Sequence, residues 1–276
     1  MIQITDPIVQ FVNVGVELDG KPRLSGISFA IARGAFVYLH GQTGCGKSLV
    51  LKLIAGLATP TTGEVRVAGD AVNTFNDLQR RQLRRSIGIM SQEGLLLKDR
   101  TVFENVMLPT LAAGESYKEA KRRATEALTH CHIADLADYP PQELSYGQRQ
   151  IACLARAVVN SPKLILADEP AAHLDMENAQ QLMNLLGDFS LRGVPVIVAS
   201  HLNVQPENIA VDSLKLTPTP DKPRFFTDNL QALQFSSNAF SPFSEPLIVK
   251  KSISSSTSTI NLRTPFFLRM SNNFAA

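Results

Sequence analysis

The chain has 276 residues, a formal net charge of +2 and 44% apolar residues, enough to bury a core in one large or two small domains. So small a net charge argues against a protein that binds nucleic acid through a broad basic surface. Cys45, Cys131 and Cys153 are odd in number and lack metal-type spacing, which argues against a disulfide framework or zinc site and favours the reducing cytoplasm. No uncharged apolar run approaches the ~20 residues that cross a bilayer, and the N terminus lacks the basic start of a signal peptide, so we expect any membrane role to require a partner.

Short strands are predicted at the start of the chain. Residues 8–14 and 27–31 form the two arms of a hairpin, with its turn at residues 19–22, and residues 36–39 form an apolar extended run. Further on, residues 64–67 alternate polar and apolar between two turns. This part of the chain therefore predicts a small antiparallel unit next to a buried strand.

A phosphate-binding loop is predicted after the apolar run at residues 36–39. Two glycines with four residues between them precede Lys and Ser, and a helical run over residues 49–57 comes next, so the pattern lies between a strand and a helix. Small residues let backbone N–H groups turn inward around an anion, and the positive end of the helix points to the same place. A chance glycine-rich turn is the alternative, which the flanking strand and helix disfavour. The predicted ATP-binding residues are Gly41, Gln42, Thr43, Gly44, Cys45, Gly46, Lys47, Ser48 and Leu49.

Within this loop, Lys47 is expected to bridge the β- and γ-phosphates of a nucleotide. Ser48 is expected to offer its hydroxyl to Mg²⁺, a hard cation that prefers oxygen ligands.

The middle of the chain predicts an inserted helical subdomain over about residues 93–160. A buried strand at residues 87–90 leads to Gln92, which alone indicates little because polar residues often end strands. The run 117–131 places Ala120, Ala124 and Leu128 on one helical face. Three consecutive leucines at 95–97 cannot all face one core stripe, so at least one is expected to be exposed for a partner helix, with a wholly buried junction as the alternative.

The subdomain closes on the segment Leu144-Ser145-Tyr146-Gly147-Gln148, in which Ser145 and Gln148 predict a capping box at the start of a helix that runs through Val159. The alternative is that this segment is an ordinary helix start with no functional role.

Two adjacent carboxylates end the next strand, which is apolar enough to be buried on both faces. Open α/β sheets bind ligands at the carboxyl ends of their strands. Asp168 could hold Mg²⁺ through water, while Glu169 points elsewhere and could polarise a hydrolytic water. His201 ends a later strand, where a lone histidine is more often structural than catalytic.

After Leu216 the composition changes. Residues 217–223 predict a proline-rich linker, and residues 217–276 a Ser/Thr/Asn-rich flexible tail. This tail holds eight of the 14 phenylalanines, more than a purely solvating segment needs, which suggests docking on a partner or membrane surface.

In order and spacing, these motifs resemble the ABC-type ATPases over about residues 6–216. The resemblance implies an α/β fold with a P-loop NTPase core, a small antiparallel β subdomain and an inserted α-helical subdomain. It also implies ATP and Mg²⁺ as cofactors, a head-to-tail homodimer, an integral membrane partner, no nucleic-acid ligand, and a place on the cytoplasmic face of the inner membrane.

By that resemblance, the segment 144–148 of one subunit caps the nucleotide held by the other. Glu169 is the catalytic base and His201 steadies the γ-phosphate. Gln92 senses Mg²⁺ and the membrane partner, and Ser145, Gly147 and Gln148 reach the γ-phosphate in trans.

Other segments, including residues 98–106 and 155–160, look most like the bacterial cell-division branch of the family, with the lipoprotein-releasing and macrolide-exporter branches as alternatives. Four residues depart from the family pattern: Leu18 replaces an adenine-stacking aromatic, Tyr146 the first signature glycine, Leu49 a threonine, and Leu202 an aspartate. The departures at Leu18 and Tyr146 leave open an alternative function, that of a nucleotide-dependent scaffold with little ATP turnover.

Overall fold

A computed structural model describes residues 6–92, 94–217 and 224–227. The predicted antiparallel unit is a four-stranded sheet in the order β2-β1-β4-β5. Asp19 and Gly20 join its first two strands with positive φ angles of 53° and 71°, as a two-residue hairpin turn requires. The turn is shorter than the predicted 19–22, because Lys21 already pairs with Leu18. The strands are β1 (Val9–Leu18), β2 (Lys21–Ile31), β4 (Thr62–Val67) and β5 (Asp70–Ala71).

A second, six-stranded sheet carries the predicted ligand-binding edge. Its order is β10-β9-β3-β8-β7-β6, in which only the β9–β10 pair is antiparallel. The strands are β3 (Phe36–Gly41), β6 (Ile87–Met90), β7 (Leu164–Asp168), β8 (Val196–Ser200), β9 (Val211–Thr217) and β10 (Arg224–Thr227).

Two of these strands were not expected from the sequence. β9 is only half apolar, and its buried residues Leu214 and Leu216 alternate with polar neighbours. β10 lies beyond the predicted domain boundary at 217 and pairs with β9, so these four residues of the proposed tail belong to the sheet. The docking role suggested for the rest of the tail falls outside the described residues.

The helices predicted at 49–57, at 117–131 and after Ser145 are present, with shifts of a few residues at their ends. Ala120, Ala124 and Leu128 face the core, as expected. The Ser145 capping box is also confirmed. The helices are α1 (Lys47–Ile54), α2 (Asp77–Arg85), α3 (Val102–Ala112), α4 (Tyr117–His130), α5 (Tyr146–Val158) and α6 (Met176–Leu191). In the part of the chain described, no helix combines the length and apolar character needed to cross a membrane.

The core has two parts, one on each face of the six-stranded sheet. In β7, Ile165 and Ala167 pack among α3 to α6, while Leu164 and Leu166 pack toward α1 and the antiparallel sheet. Burying a side chain of this kind stabilises the fold by about 1.5–3 kcal/mol. A strand anchored on both faces holds Asp168, at its carboxyl end, in a fixed position.

The three leucines after Gln92 divide between core and surface. Leu96 is 8% exposed, whereas Leu95 and Leu97 are 65% and 47% exposed. The expectation of exposure is therefore confirmed for two of them, and Leu96 belongs to the core.

Candidate active site

The loop between β3 and α1 has a shape that requires glycine at two positions. Gly41 has φ 156°, and a Cβ there would lie 2.3 Å from the carbonyl oxygen of Leu216. Gly46, the N-cap of α1, has φ 102°, and a Cβ would lie 2.7 Å from Leu24 Cδ2. The loop therefore passes so close to β9 and β2 that neither of these two positions has room for a side chain, and α1 begins directly behind it.

Lys47 is folded into this loop. Its side chain is 6% exposed, and Nζ donates hydrogen bonds to the carbonyl oxygens of Gly41 at 2.9 Å and Gln42 at 3.3 Å. The same atom lies 3.8 Å from Glu169 Oε1. A buried ammonium is stable only with such partners, and here they hold it among the backbone groups of the phosphate loop.

Ser48 and Asp168 meet although 120 residues separate them. Ser48 Oγ donates a hydrogen bond to Asp168 Oδ1 at 3.0 Å. Burial raises the pKa of Asp168, and the Ser48 hydrogen bond partly opposes that shift. A hydroxyl and a carboxylate oxygen side by side are donors of the kind that Mg²⁺ takes in proteins, so these residues fit the predicted ion.

Glu169 directly follows Asp168 but has a different backbone conformation and different side-chain partners. Its φ of 48° lies in the left-handed region, which is unfavourable for a residue other than glycine. The carboxylate, in a residue only 9% exposed, accepts hydrogen bonds at Oε2 from Ser200 Oγ at 3.0 Å and from the His201 N–H at 3.3 Å. His201 Nδ1 lies 2.8 Å from the same oxygen. The two carboxylates thus have separate partners, as expected.

Sequence reasoning gave no role to Ser200 or Tyr38. Ser200 is 2% exposed and links Glu169 to the hydroxyl of Tyr38. Burial raises the pKa of Tyr38, and its hydrogen bond with Ser200 opposes that shift. The available signal was a polar residue beside His201 at the end of an otherwise apolar strand.

Lys47, Ser48 and Glu169 line one cleft of about 390 Å³, whereas Asp168, Ser200 and Tyr38 are not part of its lining. The predicted residues Thr43, Gly44, Gln92 and His201 are all on its wall. Gln42 contributes its carbonyl to Lys47, and Cys45 is buried behind the loop, where burial raises its pKa. The full lining is Leu18, Arg23, Thr43, Gly44, Gly46, Lys47, Ser48, Leu49, Lys52, Gln92, Glu169 and His201.

The segment 144–148 is absent from that lining, which is drawn from the described residues. Ser145 Oγ accepts from the Gln148 N–H at 3.2 Å, and Gln148 Oε1 accepts from the Ser145 N–H at 2.9 Å, closing the cap of α5. A Cβ at Gly147 would lie 2.8 Å from Asn178 Oδ1, so close packing of α5 on α6 also requires glycine there.

Tyr146, the departing residue of this segment, has ring neighbours on two sides. The Arg149 guanidinium lies 5.5 Å from its ring centroid, and the His173 ring lies edge-on at 6.0 Å.

Comparisons with known proteins show what the chain is similar to. A family model described as ABC transporter matches residues 24–172. The cell division ATP-binding protein FtsE of Haemophilus influenzae is 38% identical over 196 residues, which are 70% of this chain and 90% of the relative. The lipoprotein-releasing system ATP-binding protein LolD of Treponema pallidum is 43% identical over 169 residues, 61% of this chain and 74% of the relative. A dimeric ATP-binding cassette, solved in a post-hydrolysis state with ADP and Pi bound, is 30% identical with a TM-score of 0.68, covering 79% of this chain and 98% of that one.

Proposed function

The chain belongs to the ABC transporter family of ATPases, and we propose that it is an FtsE-type subunit, acting with an FtsX-like integral membrane protein to regulate cell-wall hydrolysis during division. The partner would hold it at the cytoplasmic face of the inner membrane. Identity to FtsE over 90% of that relative's length supports this branch of the family.

One observation supports assigning the ATPase activity to particular residues. Lys47, Ser48 and Glu169 line one cleft, and Asp168 joins them through its hydrogen bond with Ser48, although the four residues come from two separate parts of the chain. A cation, an oxygen ligand pair and a carboxylate base are the groups that nucleotide binding and hydrolysis need together.

Lys47 binds the phosphates in this proposal. Its present acceptors are two loop carbonyls, and anionic phosphate oxygens are stronger acceptors for the same ammonium. Ser48 and Asp168 would hold Mg²⁺ beside them, with Gln92 on the cleft wall as a further oxygen donor. When bound, the ion supplies charge neutralisation to the phosphates.

Glu169 accepts the proton of the attacking water. Its Oε1 lies toward Lys47, while Oε2 is held by Ser200 and His201, so the carboxylate is oriented from behind. His201 is half exposed and lines the cleft, and in this proposal it steadies the γ-phosphate as well as the base.

The remaining phosphate contacts come from a second copy of the chain. Ser145, Gly147 and Gln148 form the N-terminus of α5, where free N–H groups and the helix dipole favour an anion. These residues do not line their own cleft, which supports a head-to-tail homodimer in which each copy completes the other's site.

Lipoprotein release is the second candidate function. It is favoured by the 43% identity to LolD, which is higher than the identity to FtsE but spans a shorter stretch. ATP hydrolysis is common to both candidates, so only the membrane partner separates them.

Rescue of an Escherichia coli strain that lacks its own FtsE tests the proposal. We expect the chain, co-expressed with the FtsX-like protein of its own genome, to restore division, and the Glu169→Gln variant to fail at equal expression. Rescue of a strain depleted of LolD, with no rescue of division, would favour lipoprotein release and contradict the FtsE-type assignment.

A further inference from the structure

A groove runs along the outer face of α6. It measures about 720 Å³ and lies between that helix, the turn after α4 at His132 and the segment before β9 at Glu207, and we call it the α6 groove. We propose that a basic and apolar stretch of this same chain, residues 260–270, binds in the α6 groove. The inference does not rest on the proposed function, since none of the residues that line this groove line the ATP cleft.

The α6 groove is acidic. Its lining within the described residues includes three carboxylates, among them those of Asp188 and Glu207, and no lysine or arginine. None of the three lies within 4.0 Å of a described basic side chain. In the part of the chain described, no group of three such residues is arranged to hold a metal ion. An occupant that neutralises the groove must bring its own positive charge, which argues against anionic lipids and nucleic acids.

Apolar side chains lie among these carboxylates. Leu185 is 6% exposed and lines the groove, and Met176, at the start of α6, is 71% exposed. The thioether of methionine adapts its shape and makes favourable contacts with aromatic rings. Gln181, an exposed residue between them, presents an amide that can hydrogen-bond to a peptide backbone. The groove therefore fits a peptide that carries both positive and apolar side chains better than it fits a small cation.

The end of this chain has the required composition. Glu245 is its last acidic residue, and residues 246–276 contain four lysines or arginines. Within the stretch 260–270, Phe266 and Phe267 stand between two of these basic residues, Arg263 and Arg269. The stretch thus combines the charge that the carboxylates attract with the aromatic rings that Met176 and Leu185 would contact.

The course of the chain supports binding by its own end. β10 is antiparallel to β9, and its last residue, Thr227, pairs with Leu214 in the middle of that strand. The chain therefore leaves β10 toward the start of β9 at Val211, and Glu207 lies four residues before that start. At up to about 3.3 Å per residue, the chain after Thr227 is long enough for residues 260–270 to reach the groove. Tethering also gives an effective concentration on the order of 1 mM, which occupies even a weak site.

The dimensions of the groove and the stretch are similar. Met176 and Asp188 mark the two ends of the groove on α6, about 18 Å apart along the helix at about 1.5 Å per residue. Arg263 and Arg269 would be about 20 Å apart in an extended segment, at about 3.3 Å per residue. An extended segment would therefore place an arginine near each end of the groove and the two phenylalanines between them.

Site-specific photocross-linking of the purified full chain tests the docking. The photoreactive analogue p-benzoylphenylalanine replaces Phe267, and mass spectrometry identifies the peptides that it joins after irradiation. We expect cross-links within one chain, mainly to α6 and to residues 205–208. The same probe at Phe240, which lies before the basic stretch, should yield far fewer cross-links to α6.

Two results of this experiment would overturn the proposal. Cross-links from position 267 that spread over other surfaces, or that are as frequent from position 240, would show that the groove does not select the stretch. Cross-links mainly between two copies, recognised by mixing isotope-labelled and unlabelled chains, would assign the groove to a second copy rather than to the same chain.

Charge reversal tests the basis of recognition. Arg263→Glu with Arg269→Glu changes only the proposed ligand and leaves α6 intact, and it should lower the yield of the cross-link to α6 about fivefold. Asp188→Lys with Glu207→Lys should lower the yield similarly, and the four substitutions together should restore it. An undiminished cross-link in the arginine variant would contradict the proposal.

Matched controls separate specific pairing from net charge. Asp99→Lys with Asp138→Lys makes an equal charge change at exposed residues outside the groove and should leave the yield unchanged. An equal loss in this control would overturn the assignment to Asp188 and Glu207. Ionic strength gives a measure that needs no variant of α6. Raising the salt concentration from about 0.05 M to about 0.5 M should lower the wild-type yield, because exposed charges are screened, and an unchanged yield would contradict the proposal.

Discussion

The phosphate loop and the segment 144–148 both present the N-terminus of a helix, but they differ in how their polar groups are used. In the loop, Lys47 is buried and already bonded to its own chain, and the Glu169 carboxylate lies 3.8 Å from its ammonium. In the segment 144–148, Ser145 and Gln148 form their capping hydrogen bonds only with each other. No described acid, base or ammonium group of the cleft at the phosphate loop contacts them.

This contrast explains why one half of the proposed site is chemically complete within the chain while the other half has no chemistry of its own. A helix N-terminus attracts an anion but cannot move a proton. The first half should therefore control binding and the chemical step, and the second should control only hydrolysis, through the dimer. The variants below separate these two effects.

Glu169→Gln should have the largest effect. The amide keeps the shape and the hydrogen bonds to Ser200 but cannot accept the proton of water, so the ATPase rate should fall by about 10²–10⁴-fold. ATP binding should persist, and gel filtration with ATP and Mg²⁺ should show an accumulated dimer. Glu177→Gln, at an exposed residue of α6, serves as the control. A Glu169→Gln variant with the wild-type rate would remove Glu169 from the role of base.

Lys47→Ala should come next. Charge-assisted hydrogen bonds contribute about 1.5–3 kcal/mol each, so the affinity for a fluorescent ATP analogue should fall by about 10–100-fold. Lys52→Ala removes an exposed lysine from the same cleft and should weaken binding far less. Equal losses in the two variants would show that general positive charge, rather than the buried position of Lys47, determines phosphate binding.

Local sequence patterns predicted the parts of this site that one short stretch encodes. The glycines at 41 and 46 and the capping box at Ser145 follow from spacing alone, since a turn or a helix end depends on neighbouring residues. The Ser48–Asp168 contact was foreseen only as shared chemistry, because pairing across 120 residues depends on the order of the strands.

The features that the sequence did not predict lie behind the residues of the site. Ser200 was passed over because a serine at a strand end has no distinctive pattern, and its role arises only when β7 and β8 pair in register. β9 and β10 were missed because both strands are about half polar in sequence and such a stretch resembles a loop, although β9 lies inside the sheet, between β10 and β3.

Ser145→Ala tests the second half of the site. Loss of an N-cap costs about 1 kcal/mol, and Ser116→Ala removes the comparable cap of α4 far from any proposed phosphate contact. Both variants should lose similar thermal stability, but only Ser145→Ala should lose ATPase activity, with ATP binding to the monomer unchanged. A matching loss of activity in Ser116→Ala would mean that stability, rather than contact in trans, limits the rate.

Ser200→Ala should have the smallest effect, and it tests whether the orientation of Glu169 matters beyond its presence. The variant removes one of the hydrogen bonds at Glu169 Oε2 but leaves the two from His201. Glu169 stays in place and only its orientation becomes less fixed. We therefore expect kcat to fall by about 3–10-fold while KM for ATP is unchanged. This effect is smaller than the about 1.5–3 kcal/mol that a hydrogen bond to a charged group can contribute. Ser190→Ala is the matched control, since Ser190 is also buried and donates to a carbonyl, that of Gly34. If both variants lower kcat equally, the effect is one of packing, and Ser200 has no part in orienting the base.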